Sequence, residues 1–157
     1  MINSEIQSVG SDILHLGIAY ALALPIGWDR EREAHSAGLR TFPIVAVAAC
    51  GFTLLGTALP GASTEVTSRL LQGLITGIGF VGGGAILRDR DGVTGTATAA
   101  SIWNVGIVGA SVGLGIYHIA VVLTLFNLIT LKLLTPFKRR IVDLETKPDQ
   151  DTTSGGS

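Results

Sequence analysis

The sequence predicts an all-α integral membrane protein, a bundle of five transmembrane helices with glycine-rich central helices. Three observations lead there. Only 15% of the 157 residues are charged, against roughly 25% in ordinary soluble domains, and the mean hydropathy is +0.52. The charges also avoid long windows: none falls in residues 13–28, 41–64, 70–87 or 92–131. Finally, the cations sort onto alternate loops once five spans are drawn.

Helix rise sets about 20 apolar residues as the length that crosses a bilayer core. Spans are therefore expected at 12–28, 40–60, 69–88, 95–115 and 118–136, the first being the shortest. The window 92–131 holds two of them, with the bend at Gly113, Gly115, Tyr117 and His118. Glycine suits a tight turn and the two rings suit an interface. A secretory signal fits the first segment poorly, because residues 1–12 carry Glu5 and Asp12 but no Lys or Arg. With five spans, one side owns Arg69 alone. The other owns Arg30, Arg32, Arg40, Arg88, Arg90, Lys132, Lys138, Arg139, Arg140 and Lys147. That asymmetry predicts an outer N-terminus and a cytoplasmic C-terminus. Residues 1–137 then form the membrane domain, and 138–157 a basic, then polar, disordered cytoplasmic tail.

The totals also exclude classes. A net charge of −1 lacks the basic excess of a nucleic-acid partner. A single cysteine, Cys50, allows neither an internal disulfide nor a cysteine-built metal site.

The stretch "GIGFVGGGAILRDRDG", residues 77–92, contains the spacing G-x-G-x-x-G at Gly77, Gly79 and Gly82. A dinucleotide loop needs a preceding buried strand and an acidic residue about 20 positions on. Nothing acidic stands between Asp91 and Asp143, so that reading fails. In lipid, small residues let helix backbones approach. Gly73 and Gly77, with Gly84 beyond, form one such face; Gly79 and Gly83 form another, and Gly82 adds to the run. The third span is therefore expected to be a central packing helix. Gly106, Gly109 and Gly113 continue the pattern in the fourth.

Three stretches together resemble the MgtC/SapB family of bacterial inner-membrane proteins: "LPIGWDRERE" followed by "AGLRT", then "GIGFVGGGAILR", then "GTATAASIWNVGIVGASVGLG". The resemblance covers residues 24 to about 117 and implies a five-helix bundle with a cytoplasmic C-terminus. Asp29 stands where the family usually has Glu, Phe42 where His is often seen, and Gly83 where Ala is usual. "TATAASIW" is a loosened form of the family's threonine-rich segment. Many members carry a further cytoplasmic domain; this sequence resembles the short members without it.

The family motif singles out Asp29, Arg30, Arg40 and Thr41 at the cytoplasmic face. Ion pairs are expected among Asp29, Arg30 and Arg40, with Arg88 joining them, as a functional cluster. A solvated charge cluster holding helix ends at the headgroups is the plainer alternative. In "RDRDG", Asp89 and Asp91 offer oxygens that suit magnesium. The flanking arginines oppose cation binding, and a polar turn closed by Gly92 is favoured. Inside the spans, Thr53, Gln72, Thr76, Asn104 and Asn127 suit interhelical hydrogen bonds; Asn104 is the best pore or ligand candidate. His118 reads as an interface residue. No nucleophile–base pair, metal spacing or phosphate loop appears, so neither an enzyme nor a cofactor is expected.

The resemblance implies magnesium homeostasis, with growth when Mg²⁺ is scarce and, in some pathogens, survival inside host cells. A path for a divalent ion needs carboxylates or carbonyl rings facing it, and no Asp or Glu lies in mid-span. The expected role is regulation of another membrane complex, the family implying ATP synthase, with homo-oligomers allowed. The alternative is a transporter or channel for Mg²⁺ or another small solute.

Overall fold

The computed structural model describes residues 2–33, 37–59, 61, 63–89 and 92–145. Five helices follow one another: α1 (Ile2–Glu33), α2 (Thr41–Ala58), α3 (Thr64–Gly84), α4 (Thr96–Gly113) and α5 (Tyr117–Glu145). A hairpin of two short strands, β1 (Leu87–Asp89) and β2 (Gly92–Thr94), joins α3 to α4. The expected turn at "RDRDG" is thus the tip of a hairpin; Arg90 and Asp91, like Lys147 and the rest of 146–157, lie outside the described residues.

All five expected helices are present, and three are long and apolar enough to cross a membrane: Ser8–Glu33, Thr41–Ala58 and Tyr117–Leu134. α1 begins well before the expected residue 12, and its 32 residues extend about 48 Å, beyond the about 30 Å of a hydrocarbon core. α5 runs past 136 to Glu145. Of the two remaining helices, α3 owes its lower hydropathy to Glu65, Arg69, Gln72 and its glycines, and α4 to Gly, Thr, Ser and Asn. In α4 most of these residues face protein, with Thr98, Ser101, Gly106, Gly109, Ser111 and Gly113 buried.

α4 is the central element. Twelve of its eighteen residues are buried, and it packs on all four other helices. Its glycines explain how. A Cβ on Gly109 would strike the carbonyl of Ala46, and one on Gly113 would stand 2.7 Å from the Cys50 carbonyl oxygen and 2.9 Å from Thr53 Cβ. One on Gly106 would run into Ile78. Backbone-to-backbone packing of α2 on α4 therefore depends on missing side chains, as small residues permit in membrane bundles.

This corrects the expectation for α3, which lies at the edge and buries Ile78 and Gly82 alone among its residues. Gly82 does pack: its Cβ would stand 3.1 Å from the Ala99 carbonyl oxygen. Gly73, Gly77, Gly79, Gly83 and Gly84 meet nothing within 4 Å. Gly73 and Gly77 open onto a groove of about 320 Å³ between α2 and α3, lined also by Val45, Phe52 and Val81 among others, while Gly79, Gly83 and Gly84 lie on the exposed side of the helix. The spacing of small residues shows which backbones can approach, not which ones do.

The chain reverses where it must. Gly95 has φ +81°, a left-handed conformation that glycine tolerates, and a Cβ there would collide with the Ala85 carbonyl. The expected α4–α5 bend falls at Leu114–Ile116, with Gly115 at φ +74°.

Candidate functional site

α1 presents one buried stripe, Ala19, Ala23, Ile26 and Arg30, at 0–5% exposure. Three apolar members make this a packing face, and the fourth is a guanidinium. Arg30 Nη2 donates to Asp29 Oδ2 at 2.8 Å, the two side chains being 6% and 18% exposed. Arg30 Nε is buried with no partner. A charge is tolerated at such depth only with its counterion beside it, so Asp29 is what permits Arg30 to close the stripe.

The corner between α1 and α2 is made by backbone contact. Gly27 leaves room for Gly38 O, Leu39 Cα and Phe42 Cβ, each 3.3 Å from where its Cβ would be. Leu39 N–H donates to Glu31 Oε2 at 2.9 Å, and a Cβ on Gly38 would overlap the Glu31 side chain. Glu31 therefore holds the entry to α2, whose N-cap residue, Arg40, makes no side-chain cap. On the outer side of α1, Arg32 stacks over Trp28 at 4.9 Å from the ring centre, suited to a headgroup boundary. Glu31→Ala is expected to lower stability by about 1–2 kcal/mol, because a charged acceptor leaves an amide unpaired. Thermal unfolding in detergent, read by a thiol-reactive dye at buried Cys50, measures it.

Of the expected cluster, the structure joins Asp29 and Arg30. Thr41 is half-buried at the first turn of α2; Arg40 and Arg88 are exposed. Among the described residues, neither Arg40 nor Arg88 enters the Asp29–Arg30 pair. Their side chains are long enough to stay in solvent, and the short connection places Glu31, not Arg40, against the corner. Arg30, Arg40 and Arg88 nonetheless share one end of the bundle, since α2 and α4 run parallel (Ala46 by Gly109, Cys50 by Gly113) and α1 meets the start of α2. At the opposite end, Tyr117 Oη lies 2.9 Å from His15 Nε2, and His15 Nδ1 lies 2.7 Å from Ser11 O. Reading the residues in order missed Glu31 and His15, whose partners are eight and 102 positions away.

Within the bundle, Ser101 Oγ donates to Asn127 Oδ1 at 3.1 Å, tying α4 to α5. Asn104 Oδ1 is buried without a partner. Among the described residues, no group of three or more His, Cys, Asp or Glu gathers as metal ligands do.

Residues 16–140 match the family described as the MgtC family. The chain belongs to the MgtC family. It is similar to Protein SrpB of Synechococcus elongatus, 34% identical over 142 residues, covering 79% of this chain and 76% of SrpB. Protein SapB of Bacillus subtilis is 33% identical over 136 residues, covering 82% of this chain and 59% of SapB. Protein MgtC of Brucella abortus is 36% identical over 118 residues, covering 75% of this chain and 49% of that protein. The chain thus spans half to three-fifths of the length of these last two. No solved structure matches it. The resemblance carried by "LPIGWDRERE", "AGLRT" and "GIGFVGGGAILR" is borne out. The matched range holds the Asp29–Arg30 pair, Arg40, Thr41, Arg88 and Asn104, so the whole corner belongs to the MgtC-family segment.

Proposed function

We propose that this MgtC-family chain crosses the bacterial inner membrane five times, N-terminus outside, and supports magnesium homeostasis by regulating another membrane complex. The observation that carries this reading is where charge is absent. Among the described residues, α2 and α4 have no acidic side chain, and Glu65 stands in the first turn of α3. In the apolar segment Ser8–Glu33 of α1 the acidic residues are Asp12 near its start and Asp29, Glu31 and Glu33 at its end. A dehydrated divalent ion in mid-membrane needs carboxylates or a carbonyl ring, and here each central helix spends its backbone on packing. The buried pair Asp29–Arg30 lies at the cationic end instead, where Arg40, Thr41 and Arg88 are presented to the cytoplasm. That end is the working surface, suited to a protein contact, and ATP synthase is the partner the family implies. α3, with its open glycine face, is the helix available for contact with that complex or a second copy.

The full chain in liposomes enclosing a Mg²⁺ indicator is expected to give no saturable influx. Saturable uptake lost on changing Asn104 or Asp29 would instead establish the transporter. In cells, Arg40→Ala is expected to abolish growth support at low Mg²⁺ while protein abundance stays unchanged. Normal growth of that variant, normally expressed, overturns the assignment of the working surface.

A further inference from the structure

Among the described residues, two buried polar atoms beyond Arg30 Nε lack partners: Asn104 Oδ1 on α4 and Thr124 Oγ1 on α5. They are not scattered. The Ser101–Asn127 hydrogen bond fixes the antiparallel register of α4 on α5. Moving three residues along each helix from that bond reaches Asn104 on one and Thr124 on the other. Since residues three apart share a helix face, the two orphaned oxygens occupy the next rung of the same seam. Four further residues along α4 and α5 bring Val108 and Ala120 to the following rung, both 0% exposed. The seam is polar on two rungs and then closed by apolar packing.

Ser101, Thr124 and Asn127 are 3%, 4% and 9% exposed, whereas Asn104 is half-buried. The seam is therefore partly open at Asn104 and closed at Thr124. A buried acceptor left unpaired costs about 1–3 kcal/mol, and two on one rung demand an explanation. The groups available are electron-rich oxygens: Asn104 Oδ1, the Thr124 hydroxyl, and the second lone pair of Asn127 Oδ1, whose first accepts from Ser101. Such a set receives a donor or a small positive charge. It carries no formal charge, and because the cost of burying an ion rises with the square of its charge, a divalent ion is disfavoured there far more than a monovalent one or a water.

We propose that the α4–α5 seam holds one small oxygen-seeking guest between Asn104 and Thr124, with the shared chemistry of a water molecule or a bare monovalent cation. A buried water ordinarily makes about three hydrogen bonds to otherwise unpaired groups, and this rung and its neighbour supply that number. The site is separate from the cytoplasmic-end cluster and independent of its assignment.

Water-edited solid-state NMR tests it on the full chain in phosphatidylcholine bilayers, with Asn and Thr labelled, first in Na⁺ and then in choline. Thr64, exposed, and Thr53, buried with its hydroxyl on Ala49 O, are internal standards. The expected result is magnetisation reaching the Asn104 side-chain amide and Thr124 from water as early as it reaches Thr64. If both signals do so in either salt, the guest is water. If both shift when Na⁺ replaces choline, the guest is the cation. If both stay as dry as Thr53 and neither responds to the salt, the two side chains bond each other directly and the proposal is overturned. The paired change Asn104→Leu with Thr124→Val, which spares the Ser101–Asn127 bond, is expected to remove the water or Na⁺ response at Asn127.

Discussion

Gly109→Ala is expected to lower the unfolding temperature by roughly 10 °C, corresponding to about 3 kcal/mol at the upper end of over-packing costs. The added methyl falls on the Ala46 carbonyl, which belongs to helix backbone and cannot rotate aside. α2 and α4 must separate, and Gly113, one turn on and against the Cys50 carbonyl, loses contact as they do. Both helices are apolar, so the damage comes from lost close packing rather than from exposure to water. The comparison is Gly77→Ala in α3, where the new methyl meets nothing within 4 Å. Replacing glycine by alanine in a helix interior gains up to about 1 kcal/mol, so this variant is expected to unfold at the parental temperature or above it. Dye labelling of buried Cys50 on heating reads both. Equal losses in the two variants would refute the placement of α4, rather than α3, at the centre.

That contrast marks what the residues told in sequence order and what they did not. The positions of five helices followed from charge-free windows, because a bilayer leaves few ways to bury such stretches. The α4–α5 bend followed from Gly115, whose φ of +74° suits glycine. Which helix is central did not follow. Gly73, Gly77 and Gly79 have the same spacing character as Gly106, Gly109 and Gly113, and only the three-dimensional neighbours distinguish a glycine filled by another backbone from one beside a groove. The site divided likewise. Asp29 and Arg30 are sequence neighbours and their pairing was readable. Glu31 acts on the Leu39 amide across a connection, and Thr124 matters through its register with Asn104, which only the Ser101–Asn127 contact establishes.

Arg30→Ala is expected to cost about 3 kcal/mol, near the lower end for breaking a buried ion pair because Asp29 keeps some access to solvent. The loss arises from what remains: a carboxylate 18% exposed with its counterion removed. Restoring neutrality is therefore expected to recover most of it. The pair Asp29→Asn with Arg30→Met keeps volume and the apolar stripe of Ala19, Ala23 and Ile26, and is expected to lie within about 1 kcal/mol of the parent. Arg32→Ala, two residues on at the exposed side of α1 and over Trp28, is expected to cost about 0.5–1 kcal/mol. The three variants separate architecture from activity. If the neutral pair folds as the parent does but no longer supports growth at low Mg²⁺, the charge itself is used. If growth persists, the pair only lets α1 end against α2, and the working surface narrows to the exposed Arg40 and Arg88. Retention of full stability by Arg30→Ala would contradict the burial of the guanidinium on which both outcomes depend.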